Sequence, residues 1–293
     1  MAVLAIDLGG TKLATAVVDT AGRILAMRAE PVEKSSVAQT EEQITAEAHA
    51  VVEASGLAWS GISRVGLIVP GIATCDGFAW APNLWGDADV SLLAELSGRI
   101  ARPIVMESDR AGCALGEQWL GASRGLSNVV FIAIGTGIGA GIIVDGRLIR
   151  GAGGSAGAVG WMALDPQFED AYAAAGCWEA LSAGPAVARR AGLASAQAVV
   201  AAARARDERC CRTLEEAASY IGMGVANLIS TFNPQMVVLG GGLMQARDLL
   251  LEPIRREAWK WALPRAAKQA RIELSQLGER AGLLGAARLA LES

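Results

Sequence analysis

A short apolar strand runs straight into Asp7-Leu8-Gly9-Gly10-Thr11-Lys12, and the same arrangement returns at Ile134-Gly135-Thr136-Gly137-Ile138-Gly139. The loops follow apolar runs at 3–6 and 129–134 and precede others at 13–18 and 141–144, all of which read as buried strands. A turn signal comes next, Asp19-Thr20-Ala21-Gly22 in the first copy and Asp145-Gly146 in the second, and then a third strand at 23–28 and 147–150. Strand, glycine loop, strand, tight turn, strand therefore occurs twice, about 125 residues apart. Such a repeat predicts an internal duplication in two related lobes, with a ligand in the cleft between them.

Glycine lets a backbone reach positive φ and come close to a ligand, so the N–H groups of both loops, with the Thr11 and Thr136 hydroxyls, suit phosphate oxygens. Tight turning alone is the competing reason for either loop. Gly135-x-Gly137-x-x-Ala140 also satisfies a relaxed dinucleotide pattern, but that motif opens a helix, whereas Ile142, Ile143, Val144 and the Asp-Gly turn predict a hairpin. No Gly-x-x-x-x-Gly-Lys-Ser/Thr occurs, which excludes a P-loop.

The length, 293 residues, suggests about two domains. With 52% hydrophobic and 19% charged residues, both can hold a core. A net charge of −4, no basic stripe, four Phe and two Tyr argue against a nucleic-acid partner. The chain opens on a strand without a basic leader, so a cytoplasmic location is expected, and the uncharged stretch 128–144 is too broken by glycine for a membrane span. Five irregularly spaced cysteines (Cys75, Cys113, Cys177, Cys210, Cys211) fit reduced thiols. The single histidine, His49, sits in a polar helix-like run and reads as a helix-face residue, so catalysis must rest on carboxylates.

Between the repeats, residues 37–55 predict an amphipathic helix with Ile44, Ala48, Val51 and Val52 on one face and Glu41, Glu42 and Glu47 on another. A strand at 65–69 meets Pro70-Gly71, Asp76-Gly77 signals a hairpin, and Trp80-Ala81-Pro82-Asn83-Leu84-Trp85-Gly86 reads as a sugar-compatible loop. A strand at 104–106 ends in Glu107-Ser108-Asp109 before a helix at 111–120, which Ser108 or Asp109 can cap. Helices are expected at 185–206, 211–232 and 281–291, with a strand at 236–239 before a third glycine cluster, Gly240-Gly241-Gly242. The lobe boundaries expected are 1–115, completed by the C-terminal helix 281–293, and 116–280.

In this order the motifs resemble the ROK family of sugar kinases, within the actin-like, hexokinase and Hsp70 ATPase superfamily, over nearly the whole chain. The carriers are Ala5 to Lys12, Ala81-Pro82-Asn83-Leu84, Ser108-Asp109 where the family usually has Asn-Asp, Gly135 to Gly139, Gly176-Cys177-Trp178-Glu179, and Val238 to Gly242. The resemblance implies an α/β fold of two actin-like (ribonuclease H-like) lobes, mixed sheets flanked by helices. It implies ATP-dependent phosphorylation of a hydroxyl, the 6-OH of a hexose, amino sugar or related substrate, with Asp109 as the base. The alternatives are a cyclitol or substituted-sugar kinase, or a non-catalytic sugar-binding relative.

By the same resemblance, Gly9, Gly10, Thr11, Lys12, Gly135, Thr136 and Gly137 hold the triphosphate, Asp7 positions Mg²⁺ through water, and Gly240, Gly241 and Gly242 lie against adenosine. Gly71, Asn83, Ser108 and Glu179 face the sugar, with Trp161 a further candidate there, and a homodimer is implied. A cap at Ser108 and Asp109, a turn amide at Asn83 and a solvated helix position for Glu179 are the plain structural readings. At the start of the expected helix, Asp109 should have a depressed pKa. ROK repressors carry a helix-turn-helix ahead of the first phosphate loop, for which the start at Asp7 leaves no room; a repressor is not expected.

Where the family commonly reads Ala-Gly-Glu-x-Gly-His, this chain has Ala156-Gly157-Ala158-Val159-Gly160-Trp161, and of the family's cysteine cluster only Cys177 remains. The zinc site of that motif therefore cannot form. Ala158 opens space and Trp161 offers an apolar face to a substituted ring, or else Trp161 fills the volume the zinc segment leaves.

Overall fold

The computed structural model describes residues 1–74 and 76–293, so Cys75 lies outside the described residues. Two compact units result: Met1–Gly125 with Arg150–Ala156 and Glu279–Ser293, and Leu126–Ile149 with Gly157–Gly278. Residue 115, the expected boundary, falls inside the helix Asp109–Leu120, which a single hydrogen-bonded ladder keeps in one unit.

In the first unit, β1 (Ala2–Leu8), β2 (Lys12–Asp19), β3 (Ile24–Pro31) and β4 (Ile62–Val69) are followed by the short β5 (Ile72–Ala73), β6 (Ala79–Trp80) and β7 (Asp89–Val90) and then β8 (Ile104–Ser108). The main sheet has the order β3-β2-β1-β4-β8, with β1 antiparallel to β2 and parallel to β4. Its apolar residues, among them Leu4, Ile6 and Leu67, meet Ile44, Val51 and Leu96 in one core. Each such side chain contributes about 1.5–3 kcal/mol by leaving water.

The second unit repeats this plan. β9 (Val129–Ile134), β10 (Ile138–Val144), β11 (Arg147–Leu148), β12 (Met236–Gly240) and β13 (Arg271–Leu274) form a sheet ordered β11-β10-β9-β12-β13. Again the first strand is antiparallel to the second and parallel to the fourth. The repeated strand–loop–strand text in the sequence thus marks a repeated five-stranded topology. Asp145 (φ 51°) and Gly146 (φ 76°) form the tight turn that the Asp-Gly pair signals.

Several elements differ from expectation. The single helix expected at 185–206 is two, Gly184–Ala191 and Ala196–Arg204, because Gly192 ends the first in a left-handed conformation. The segment 80–86 is not all loop: Pro82–Trp85 makes a helical turn with Pro82 at its start. On the helix Val37–Ala54, Glu41 is buried rather than solvated, with Arg99 Nη2 3.7 Å from its carboxylate. The helix Arg247–Trp261 and β13 carry no sequence expectation, the helix being disguised by Pro253 in its interior. His49 stacks on Trp59 with ring centroids 4.6 Å apart. No helix among the described residues is long and apolar enough to cross a membrane.

Candidate active site

The parallel neighbours β1, β4 and β8 end at Leu8, Val69 and Ser108, so the sheet delivers Asp7, the Gly71 turn and Asp109 from adjacent strand ends of the first unit. Asp109 begins the helix Asp109–Leu120, and its Oδ1 accepts the Arg110 N–H at 2.7 Å. Ser108 occupies the cap position but makes no side-chain cap bond, so the capping explanation for this pair fails on the serine side. Burial raises the Asp109 pKa and outweighs the nearby Arg110 charge, which corrects the expected depression: loss of water costs the carboxylate more than the helix start returns. Burial, then the charge of Asp109, pushes Asp7 up to about 7, with Lys12 opposing. A Cβ at Gly282 would stand 2.6 Å from Asp7 Oδ2, so this glycine, which no local pattern singles out, permits the close seat of Asp7.

Gly9, Gly10, Thr11 and Lys12 make the β1–β2 turn, closed by the Gly9 N–H on the Lys12 carbonyl at 2.9 Å. Lys12 Nζ lies 3.2 Å from Glu279 Oε2, both exposed. Neither glycine loop uses a positive φ at its glycines, contrary to the reasoning from the sequence; what these glycines offer is absence of a side chain. Asn83 is exposed on its helical turn.

In the second unit, Gly135, Thr136 and Gly137 turn β9 into β10, and the strand that follows disposes of the dinucleotide pattern. Glu179 is half-buried and its Oε2 accepts the Ile138 N–H at 2.7 Å, so it is no solvated helix residue. Burial raises its pKa, with that N–H pulling the other way. A Cβ on Gly137 would come within 2.6 Å of the same oxygen. Gly241, at φ 89°, lies so close to the Ile134 carbonyl that any side chain would collide, which brings the third glycine cluster against the second. Beside them a cavity of about 540 Å³ is lined by Thr136, Pro185, Ala188, Gln197, Leu243 and Gln245, among others. Its apolar walls and glycine-rich end match a nucleoside with its phosphates. The cavity walls from the helix Ala196–Arg204 carried no recognisable motif in the sequence; alanines at helical spacing look like any packed face.

Trp161 is 57% exposed on a short 3₁₀ turn, so it does not fill interior volume. Among the described residues no three His, Cys, Asp or Glu side chains gather as a metal site.

The ROK family profile matches residues 3–293. A glucokinase of Streptomyces coelicolor is 32% identical over 324 residues, covering 99% of this chain and 97% of that protein. Among solved structures, the ROK hexokinase from Thermus thermophilus is 32% identical with a TM-score of 0.86, covering 100% of this chain and 98% of its own. The ROK family glucokinase from Streptomyces griseus, in complex with glucose and AMPPNP, is 29% identical with a TM-score of 0.83 over 100% of both chains.

One relative corrects the exclusion of nucleic acid as a partner. The xylose repressor of Bacillus spizizenii is 26% identical over 298 residues, 99% of this chain and 77% of the repressor. Net charge averages over lobes that kinases and repressors have in common, so composition cannot separate the two. With the family profile matched across both units and the duplicated α/β topology in place, this chain belongs to the ROK family.

Proposed function

We propose that this protein transfers the terminal phosphoryl group of ATP to a hydroxyl, the exocyclic 6-OH, of a hexose, amino sugar or related sugar-like substrate, with Asp109 as general base. The observation that carries this reading is the half-buried Asp109 at the helix start that follows β8, whose carboxylate accepts the Arg110 N–H and is raised in pKa by loss of water. A carboxylate so raised accepts a proton more readily than an exposed one. Whole-length relatives named glucokinase and hexokinase support sugar-kinase activity, and AMPPNP in one of their structures supports ATP as donor.

In this mechanism the attacking hydroxyl gives its proton to Asp109, while Gly71, Asn83, Ser108 and Glu179 hold the sugar through its other hydroxyls. Gly9 to Lys12 and Gly135 to Gly137 present N–H groups to the phosphates, and Gly240 to Gly242 close on the adenosine. Phosphoryl transfer depends mainly on such positioning and on charge stabilisation. Mg²⁺, when bound with ATP, supplies charge neutralisation at the phosphates. Asp7 fits as the residue that holds it through water, because the mutual repulsion of Asp7 and Asp109 favours a cation there.

Ala158 and Trp161 stand where the family's sugar-contacting Glu and His are expected, and the exposed indole is available as an apolar face to a substituted ring. Exchanging Ala158→Glu with Trp161→His should then shift preference towards plain hexoses; unchanged substrate profiles would remove this part. A second reading, sugar binding without transfer, is supported by the repressor relative. ADP release on glucose, mannose, N-acetylglucosamine, N-acetylmannosamine, glucosamine, a β-glucoside and a cyclitol, with Asp109→Ala as control, decides between them. Release that the control loses supports the kinase. Sugar binding with no release from any of them supports the second reading.

A further inference from the structure

Arg110 follows the proposed base directly and is 8% exposed. Its Nη1 donates to the Gly71 carbonyl at 2.8 Å. Among the described residues, its Nε and Nη2 have no partner, although both are buried. These two nitrogens form one edge of the guanidinium, the parallel fork that grips a planar oxygen group. Leaving two such donors unmet out of water is costly, so the arrangement calls for an acceptor.

The neighbouring carboxylates do not supply it. Glu107 Oε1 accepts the Ser108 N–H at 2.9 Å and its Oε2 takes Arg150 Nε at 2.6 Å, while Asp109 Oδ1 takes the Arg110 N–H. We infer that Arg110 selects the acceptor substrate, its unpaired edge receiving an sp² oxygen acceptor, an acyl carbonyl or a carboxylate, carried by the sugar. The inference rests on placing the sugar beside Gly71 and Asp109, as proposed above. A plain diol suits the fork less well, because each hydroxyl that accepts from it must also place its own proton on an acceptor, which an sp² oxygen need not do. Glu107 pairs with Arg150 and Asp109 lies beside Arg110, so what the fork lacks is acceptor atoms without hydrogens, which a carbonyl and a carboxylate both present.

The test is calorimetric titration, without nucleotide, of the wild-type protein, Arg110→Met and Arg110→Lys with N-acetylglucosamine, glucuronate and glucose. The wild-type protein should bind one of the first two at least about 10-fold more tightly than glucose. That ratio should collapse in Arg110→Met and return only in part in Arg110→Lys, which lacks the fork. Preference for N-acetylglucosamine identifies the carbonyl, and preference for glucuronate the carboxylate. Equal affinities in the wild-type protein, an unchanged ratio in Arg110→Met, or equal weakening of all three sugars with a lowered melting temperature would each overturn the inference. ADP release scored in parallel on N-acetylglucosamine and glucose, which keep the 6-OH that glucuronate lacks, separates the two readings: Arg110-dependent binding of N-acetylglucosamine without release removes the kinase and keeps this inference, and release from glucose with ratios indifferent to Arg110 does the reverse.

Discussion

Asp109, at the start of the helix that follows β8, reinforces the burial that pushes the pKa of Asp7, near the end of β1, up to about 7. An unfolded chain releases this proton near 3.8, so between the two values the folded state holds the extra proton and stability falls as pH rises. The full difference corresponds to about 4 kcal/mol, reached above pH 7 and absent below the unfolded value. Without divalent cations, Asp7→Asn should therefore be more stable than the wild-type protein to urea at pH 8, with the gap shrinking towards pH 4. Parallel pH profiles for the two proteins would refute the assignment.

Asp109→Ala should lower the rate of ADP release by about 10²–10⁴-fold. The cavity assigned to the nucleotide is lined entirely by residues of the second unit, so affinity for a non-hydrolysable ATP analogue should stay within about twofold. Normal turnover in the variant would exclude Asp109 as the base.

Gly241→Ala places a side chain at φ 89° against the Ile134 carbonyl. Urea denaturation should show a loss of about 1–3 kcal/mol, together with weaker binding of the ATP analogue. A variant with unaltered stability and affinity would show that the third glycine cluster is not held against the second.

Trp161→Ala removes a side chain that is 57% exposed, and stability should change by no more than about 0.5 kcal/mol. A larger loss on thermal melting would restore the packing role that its exposure argues against. Weaker sugar binding at unchanged stability would place the indole at the substrate.

Much of the fold is legible locally. The β9 run and its partner in the first copy are continuous apolar segments, and Asp145-Gly146 is a turn by its own chemistry. The site is legible only in part. Asp109 can be found because it follows a strand and opens a helix, but its raised pKa depends on how much protein covers it, a sum over residues distant in sequence. Glu179 also admits the reading of a solvated helix residue until β10 brings the Ile138 N–H to its carboxylate, 41 positions away. Arg110 looks like an ordinary charged residue near a helix start; tertiary packing takes it out of water.

Sequence alone determined the duplicated strand–loop–strand pattern, the glycine positions and the carboxylate poised at a strand end, because periodicity, turn chemistry and side-chain absence act over a few neighbouring residues. Tertiary structure decided which carboxylates lose their water, which glycines are needed for close approach, and that Arg110 keeps one donor edge unmet. Those properties follow from desolvation and from contacts between distant segments, which no local pattern encodes.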